Sequence, residues 1–536
     1  MLEQRQTNDR WQPFLFALVL IIGMFLGYKL ARQSGSPSSI SSSTSKARLD
    51  DLIRLIANRY VDTIDESVLY KGGIEGILKN LDPHTVYIPA SELTRANEEL
   101  EGTFYGIGVE FYLVHDTVTI ASVIKGGPSE KENITPGDKI IKIDDSLVAG
   151  KKIEDSEIIR MIRGQKNTDV ELGLRHLDGT SSTIHITRGN VPLRSVPAWF
   201  MIDEETGYIK IDMFSETTYD EFKAALQDLN THHISKLIID VRDNPGGYMD
   251  AVANVADELV AGTHTIVSTK GKRKSDSLVT SKNGIFEKGK LCILVDENSA
   301  SASEILAGAM QDLDRGTIVG RRTFGKGLVQ EQFELPDHAA IRITTARYYL
   351  PSGRSIQRSY AGGKEKYRHD IMDRFTNGAL KKEDSLIDKP SKFYTLKKRI
   401  VYGDDGIRPD VFVALDTTYH KQLDDFYSQH IAEEFAHRYF FFHQNEFQSY
   451  KNLEIFSKEF NLDENMLKDL KLFFIQQKIN TTLLDNPQLN KEIKRGLSSQ
   501  FAKLLFGNNG RYKELYRNDE FILKAIQSMK DDLKNP

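Results

Sequence analysis

The sequence predicts a multidomain α/β protein: a body of alternating strands and helices, a β-rich insert ahead of it, and helical segments at both ends. Three observations predict it. From Gly207 onward, short apolar runs alternate with longer stretches of helical periodicity, which argues for layered and largely parallel strands. Between residues 101 and 190 the texture changes to short β-runs separated by glycine turns. Residues 47–100 and the stretch from 416 to 536 carry apolar side chains at three- and four-residue spacing.

The first residues are a case apart. Residues 13–28 form an uncharged apolar run of roughly membrane-spanning length, preceded by Arg5 and Arg10. Lys29 and Arg32 follow at once and leave no clean small-x-small cleavage site, so residues 1–32 read as an uncleaved signal anchor. A short tail before a large domain favours export of that domain. Residues 33–46, rich in serine, are a flexible polar linker. In 47–100, Leu49, Leu52, Ile53, Ile56 and Tyr60 mark a helix, and Pro83 and Pro89 interrupt the pattern.

In 101–190 the runs TFYGIGVEF, VTIASVI, DKIIKIDDSLV, VELGLRHL and SSTIHITR read as strands. IEDSEIIRMIRG reads as an amphipathic helix with Ile158, Ile159 and Ile162 on one side. In 191–415 the order is GYIKIDMF (strand), YDEFKAALQDL (helix), KLIIDVR (strand), a glycine turn, and MDAVANVADELV (helix). KLCILVD (strand), SASEILAGAMQDL (helix) and the strands IVGRRT, AIRITTARYYLP and DVFVAL complete the body. Cys292, the one cysteine, lies in an apolar strand, where a buried thiol is expected, and no intrachain disulfide can form.

Composition narrows the function. Hydrophobic residues make up 40% and charged residues 27%, ordinary for a globular protein, and the net charge of −5 with no basic block argues against a nucleic-acid role. The thirteen histidines are scattered and no H-E-x-x-H occurs, so neither a metal site nor a cofactor is expected. Gly320 to Lys326 imitates a phosphate loop, but Gly327 stands where the metal-ligating hydroxyl is required. No G-x-S-x-G elbow is present.

Two segments carry candidate chemistry. Asn298, Ser299, Ala300, Ser301, Ala302, Ser303 and Glu304 follow a strand and open a helix, where helix amides point outward and can hold an oxyanion. Helix capping explains the same serines, with Glu304 closing a capping box, and the two readings are compatible. The second segment holds Lys326 between Gly325 and Gly327, with Gln330 four residues on. Taken alone, that lysine is an ordinary surface residue in a glycine turn.

The pair of segments, Ser-Ala-Ser-Ala-Ser-Glu and then Phe-Gly-Lys-Gly-x-x-x-Gln, resembles the C-terminal processing peptidases, or tail-specific proteases. Asp240 to Gly247, Tyr348 to Gly353, Gly406 to Asp410 and Leu81 to Thr85 match further family motifs, in the expected order. The 101–190 segment resembles a PDZ domain: Tyr105, Gly106, Ile107, Gly108 and Val109 stand where that family binds a terminal carboxylate. Pro136, Gly137, Asp138, Ile140, Ile143 and Asp144 match its next motif, with Ser146 in place of the usual glycine.

The resemblance implies a crotonase-like layered core in 191–415, Ser301 as nucleophile, Lys326 as general base and Gln330 as its positioner. It also implies an oxyanion hole from the amide of Ala302 and one from Gly246 or Gly247. A lysine serves as base only if neutral, which needs an apolar surrounding such as Phe324, Leu328 and Val329. The expected substrates are unfolded or C-terminally tagged proteins. The expected place is the extracytoplasmic side of a bacterial cytoplasmic membrane, held by the N-terminal anchor. A scaffold that only binds tails is the competing reading, opposed by the intact Ser301, Lys326 and Gln330. The 416–536 extension matches no motif: it could pack on the catalytic body, build a homodimer or hold an adaptor.

Overall fold

A computed structural model describes residues 21–24, 29, 47–114, 116–281, 283–382, 391–416 and 420–531. The apolar run at 13–28, apart from 21–24, lies outside them. Among the described residues no helix is long and apolar enough to cross a membrane, so the structure lends the expected anchor no support. The chain divides into two compact units, 1–80 and 81–536. In the first, helices α1 (Ala47–Arg59) and α2 (Glu66–Leu78) pair, and the Tyr70 hydroxyl donates to Asp50.

The second unit begins with β1 (Val86–Ile88), α3 (Ala90–Glu101) and β2 (Thr103–Gly106). A small β-body follows, with strands β3 (Val109–Val114), β4 (Thr117–Val123), β5 (Lys139–Ile143) and β6 (Ser146–Leu147). Helix α4 (Asp155–Ile162) and strands β7 (Asp169–Arg175) and β8 (Ser181–Thr187) complete it. Its sheet runs β3-β4-β5-β7-β8, with β6 on β5, so β3 is an edge strand. Alternating Ile, Val and Leu fill its core, with Ile120, Ile140, Ile143, Ile158 and Leu172 fully buried. Strand β9 (Gly189–Pro192) returns to pair with β2.

The central sheet comprises β10 (Ala198–Met201), β11 (Thr206–Lys210), β12 (Lys236–Asp240), β15 (Lys290–Val295), β16 (Thr317–Gly320) and β21 (Val411–Phe412), in that order. All neighbours are parallel except β10 with β11. Helices α5 (Thr218–Asn230), α6 (Met249–Asp257) and α7 (Ala302–Asp312) cover one face. Leu237, Ile239, Leu291 and Ile293 point into that core, while Ile238, Cys292, Leu294 and Tyr208 point to the opposite side. A strand buried on both faces needs apolar residues at every position, hence the continuous runs in the sequence.

A second, antiparallel sheet runs β1-β18-β13-β14, built from β18 (Ala340–Tyr349), β13 (Thr265–Gly271) and β14 (Ser275–Val279), with β17 (Leu328–Glu334) on β18. Here the structure departs from the expected parallel layering. AIRITTARYYLP joins this sheet rather than the central one, and the Val86–Ile88 strand pairs with it from within the segment read as helical. Helix α8 (Lys364–Thr376) and the pair β19 (Lys392–Tyr394) and β20 (Ile400–Tyr402) complete this part.

The C-terminal helices are α9 (His420–Ser428), α10 (Ile431–Phe442), α11 (Gln444–Phe447), α12 (Leu453–Glu459), α13 (Glu464–Gln476), α14 (Pro487–Leu515, broken at Gly507) and α15 (Glu520–Asp531). They bury an aromatic core that includes Phe426, Phe435, Phe456, Phe474 and Phe501. Helix α15 then covers the second face of the central sheet: Phe521, Ile522, Ala525 and Met529 pack on Tyr208, Ile238, Cys292 and Leu294. The extension is therefore part of the core of the body that precedes it.

Candidate active site

Strand β15 ends at Val295, and the chain turns through residues 296–300 before α7 starts at Ala302. Asp296 organises the turn, accepting from the amides of Asn298 and Ser299. The hydroxyls of the two outer serines are spent on carbonyls: Ser299 donates to Val241 (2.8 Å) and Ser303 to Asn244 (3.0 Å), and both residues are fully buried. Ser301 between them is half-buried, with φ 56° and ψ −115°. Such a backbone costs a serine on the order of 1–3 kcal/mol and persists only where the surroundings over-determine it.

Two buried groups supply that constraint. The Glu304 carboxylate accepts from the amides of Ser301 (2.9 Å), Gly325 (2.7 Å) and Lys326 (2.9 Å) and from the Thr323 hydroxyl (2.5 Å). The Tyr348 hydroxyl donates to the carbonyl of Ser301 (3.2 Å) and to that of Lys326. One carboxylate and one phenol therefore tie the serine turn to the lysine turn. Burial pushes Glu304 up to about 7, against the pull of its four donors.

Lys326 sits between β16 and β17, and its Nζ donates to Gln330 Oε1 on β17 at 2.8 Å. Burial holds its pKa below the ordinary 10.5, with Arg342 adding to the effect and Glu304 opposing it. Among the described residues no hydrogen bond joins Lys326 Nζ to Ser301. The Gln330 amide donates in turn to the carbonyl of His84. Asp82 fixes that carbonyl's turn by accepting from His84 N, Thr85 N, Thr85 Oγ1 and, on β18, Thr344 Oγ1. The His84 ring meets the Tyr367 hydroxyl at 2.9 Å, and burial with the nearby Lys326 charge lowers its pKa to about 4.

The turn after β12 lies against Ser301. A Cβ on Gly246 (φ 105°) would fall 2.7 Å from Ser301 Cβ and 2.9 Å from Ala302 N, so only glycine allows this approach. Gly247 passes closer still, its missing Cβ 2.0 Å from the Phe214 carbonyl. The Gly246 amide donates to Asn244 Oδ1 (2.8 Å), whereas the amides of Gly247 and Ala302 carry no hydrogen bond among the described residues. Ser301, Lys326, Gln330, Ala302, Gly246 and Gly247 are thus brought into one constellation. Glu304 read from sequence only as a capping residue, Tyr348 and His84 only as parts of motifs. Among the described residues no cluster of three His, Cys, Asp or Glu side chains could hold a metal.

The second candidate region is a groove of about 310 Å³ between β3 and α4. Ile107, Gly108 and Val109 line it, but Tyr105 and Gly106 do not: they belong to β2 and pair with β9.

Comparison with known proteins follows this division. Residues 205–364 match the family model of peptidase family S41, and residues 106–187 match that of the PDZ domain. A carboxy-terminal-processing protease of Bartonella bacilliformis is 32% identical over 350 residues, spanning 63% of this chain and 80% of the relative. A probable CtpA-like serine protease of Staphylococcus haemolyticus is 30% identical, spanning 65% and 70%. A solved photosystem II D1 C-terminal processing protease aligns over 69% of this chain and 94% of its own at 24% identity, with a TM-score of 0.36. The chain belongs to the carboxy-terminal-processing proteases of peptidase family S41, serine-type peptidases, and carries a PDZ domain.

Proposed function

We propose that this chain is an endopeptidase acting on proteins recognised by their C-terminal tails, with Ser301 as nucleophile and Lys326 as general base. The observation that carries the reading is the double tie of Glu304 and Tyr348 between the serine turn and the turn of a half-buried lysine. Neutral Lys326 takes the Ser301 proton as Oγ attacks the scissile carbonyl, and returns it to the departing amine. Water, deprotonated by the same lysine, then hydrolyses the acyl-enzyme. Gln330 orients Lys326 through its 2.8 Å bond and is itself held by the His84 carbonyl. The amides of Ala302 and Gly247 are the available oxyanion donors, since that of Gly246 is engaged.

The edge of β3 offers an extended tail a strand to pair with, and the turn at residues 107–109 offers amides for its carboxylate. Bringing Lys326 onto Ser301 is then the step left for substrate to complete. The bacterial relatives fit an envelope location, and the apolar run at 13–28 behind Arg5 and Arg10 supports anchoring there. Cleavage of casein by wild type, Ser301→Ala and Lys326→Ala tests the reading. Wild type alone should cleave; cleavage by Ser301→Ala would reject the nucleophile.

A further inference from the structure

Three neighbouring parallel strands deliver the three turns of the site. β12 ends at Asp240 and leads to residues 243–247, β15 ends at Val295 ahead of Ser301, and β16 ends at Gly320 ahead of Lys326. Helix α7, which starts beside the nucleophile, packs on one face of these strands. The opposite face is covered by α15, in the extension that matches no motif.

The start of α15 meets the roots of those turns. The guanidinium of Arg242, two residues past β12, stacks 4.5 Å from the centre of the Phe521 ring and 4.6 Å from that of Tyr516. Its Nη1 donates to both carboxylate oxygens of Asp519, at 3.3 and 3.1 Å. Arg321, the first residue after β16, stacks over the same Phe521 ring at 5.1 Å and donates from Nε to Glu297 of the serine turn at 2.6 Å. Gly320 leaves room for this approach: a Cβ there would fall 1.9 Å from the Val295 carbonyl oxygen and 3.1 Å from Phe521 Cε1. One ring and one carboxylate thus reach all three turns, the serine turn through Arg321.

These roots are coupled to the reacting groups by short, buried bonds. Asp240 holds the Arg242 guanidinium at 2.6 Å, and the buried Lys210 donates to the Arg242 carbonyl at 2.6 Å. The Asp243 amide then donates to Asp296 of the serine turn (3.0 Å), and the Asn244 carbonyl accepts from the Ala300 amide (3.0 Å). Gly246 and Gly247 follow directly. A displaced Arg242 would therefore move the oxyanion turn against Ser301, and a displaced Arg321 would move the turn of Lys326. Misplacement by about 1 Å can cost on the order of a hundredfold in rate.

We propose that Asp519 and Phe521 are positioning residues of the active site: acting through Arg242 and Arg321, the C-terminal extension holds the oxyanion, serine and lysine turns in register. The inference rests on the Ser301–Lys326 reading above. It makes the extension a requirement of the chemistry as well as of the fold.

The rate at which a fluorophosphonate labels Ser301, with kcat and KM for casein, tests this on full-length protein well below its melting temperature. The variants are Asp519→Asn, Phe521→Leu and Met529→Ala. Asparagine keeps the cap that Asp519 gives the Ile522 amide (3.1 Å) and removes the charge. Leucine keeps the apolar bulk and removes the ring between two guanidiniums. Met529 packs on the sheet at the far end of α15, where its carbonyl accepts from Lys290 at the start of β15, away from the turns. Met529→Ala therefore loosens the same helix without disturbing the turns.

Asp519→Asn and Phe521→Leu should lower the labelling rate and kcat about ten- to a hundredfold, with KM within about twofold of wild type. Met529→Ala should melt at a lower temperature yet label and cleave as wild type does. A wild-type labelling rate in either of the first two variants would overturn that residue's assignment. A loss confined to KM, or one shared equally by all three variants, would overturn the proposal and spare Ser301 as nucleophile. Wild-type label on a residue other than Ser301 would reject the reading beneath it.

Discussion

Glu304 shows how much one side chain can organise. All four donors it satisfies lie in the serine turn and the lysine turn, two on each carboxylate oxygen, and the residue is fully buried. Glutamine matches its shape but turns an NH₂ toward two of those donors. Glu304→Gln should therefore cost about 1–3 kcal/mol for each donor left unpaired, read as a lower denaturation midpoint, and should depress casein cleavage more than binding. Wild-type stability and cleavage in that variant would refute the tie. Ser301, Lys326 and Gln330 were legible because they stand in two short motifs that together resemble a known family. The sequence did not disclose what Glu304 and Tyr348 do, because all their partners but the Ser301 amide lie 19 to 47 residues away in sequence.

At the scale of elements, the turn of residues 243–247 is built around two glycines with different duties. An added Cβ on Gly246 would meet Ser301, the Ala300 carbonyl and the Ala302 amide, beside the proposed oxyanion donor. Gly246→Ala should lose some stability to its strained φ and close contacts, and its kcat should fall on the order of a hundredfold or more. An added Cβ on Gly247 would strike the Phe214 carbonyl, a clash within the core, so Gly247→Ala should lose thermal stability first. Melting curves and cleavage rates on the two variants separate these outcomes. The parallel strands were readable because burial on both faces writes unbroken runs such as Leu291 to Val295. Strands β13, β14 and β17 carry no such run: stretches such as KGKRKSD and VQEQFE are polar and largely exposed, so burial leaves no pattern in them. Gln330 stands on one of these strands, so its link to His84 could not be foreseen from spacing.

Over the whole molecule, the C-terminal extension is what the sequence left most open, since helical periodicity tells which residues are buried but not against what. Three of its attachments to the body suffice to show what it packs against. Helix α15 completes the central core, Asp519 pairs with the buried Arg242 (3.1 Å), and α10 reaches the PDZ sheet, where the His437 ring meets the Tyr112 hydroxyl at 2.9 Å. Burial lowers the His437 pKa to about 3, against about 6.5 when unfolded. A histidine held neutral this way contributes full stability above pH 6.5, and the contribution declines as pH falls from there toward 3. Stability should thus drop by about 2 kcal/mol between pH 7.5 and 5 on account of this group. His437→Gln should show a shallower decline in melting temperature over that range; an unchanged slope would mean the ring titrates freely. The central claim concerns two side chains, and covalent labelling reaches them directly. Wild type, Ser301→Ala and Lys326→Ala would be treated with a fluorophosphonate across pH 6 to 10, and the label mapped by peptide analysis. The account predicts one equivalent on Ser301, at a rate that rises with pH to a midpoint below 10.5 and falls at least about a hundredfold in Lys326→Ala. Label on another residue, or a rate indifferent to Lys326, would contradict it.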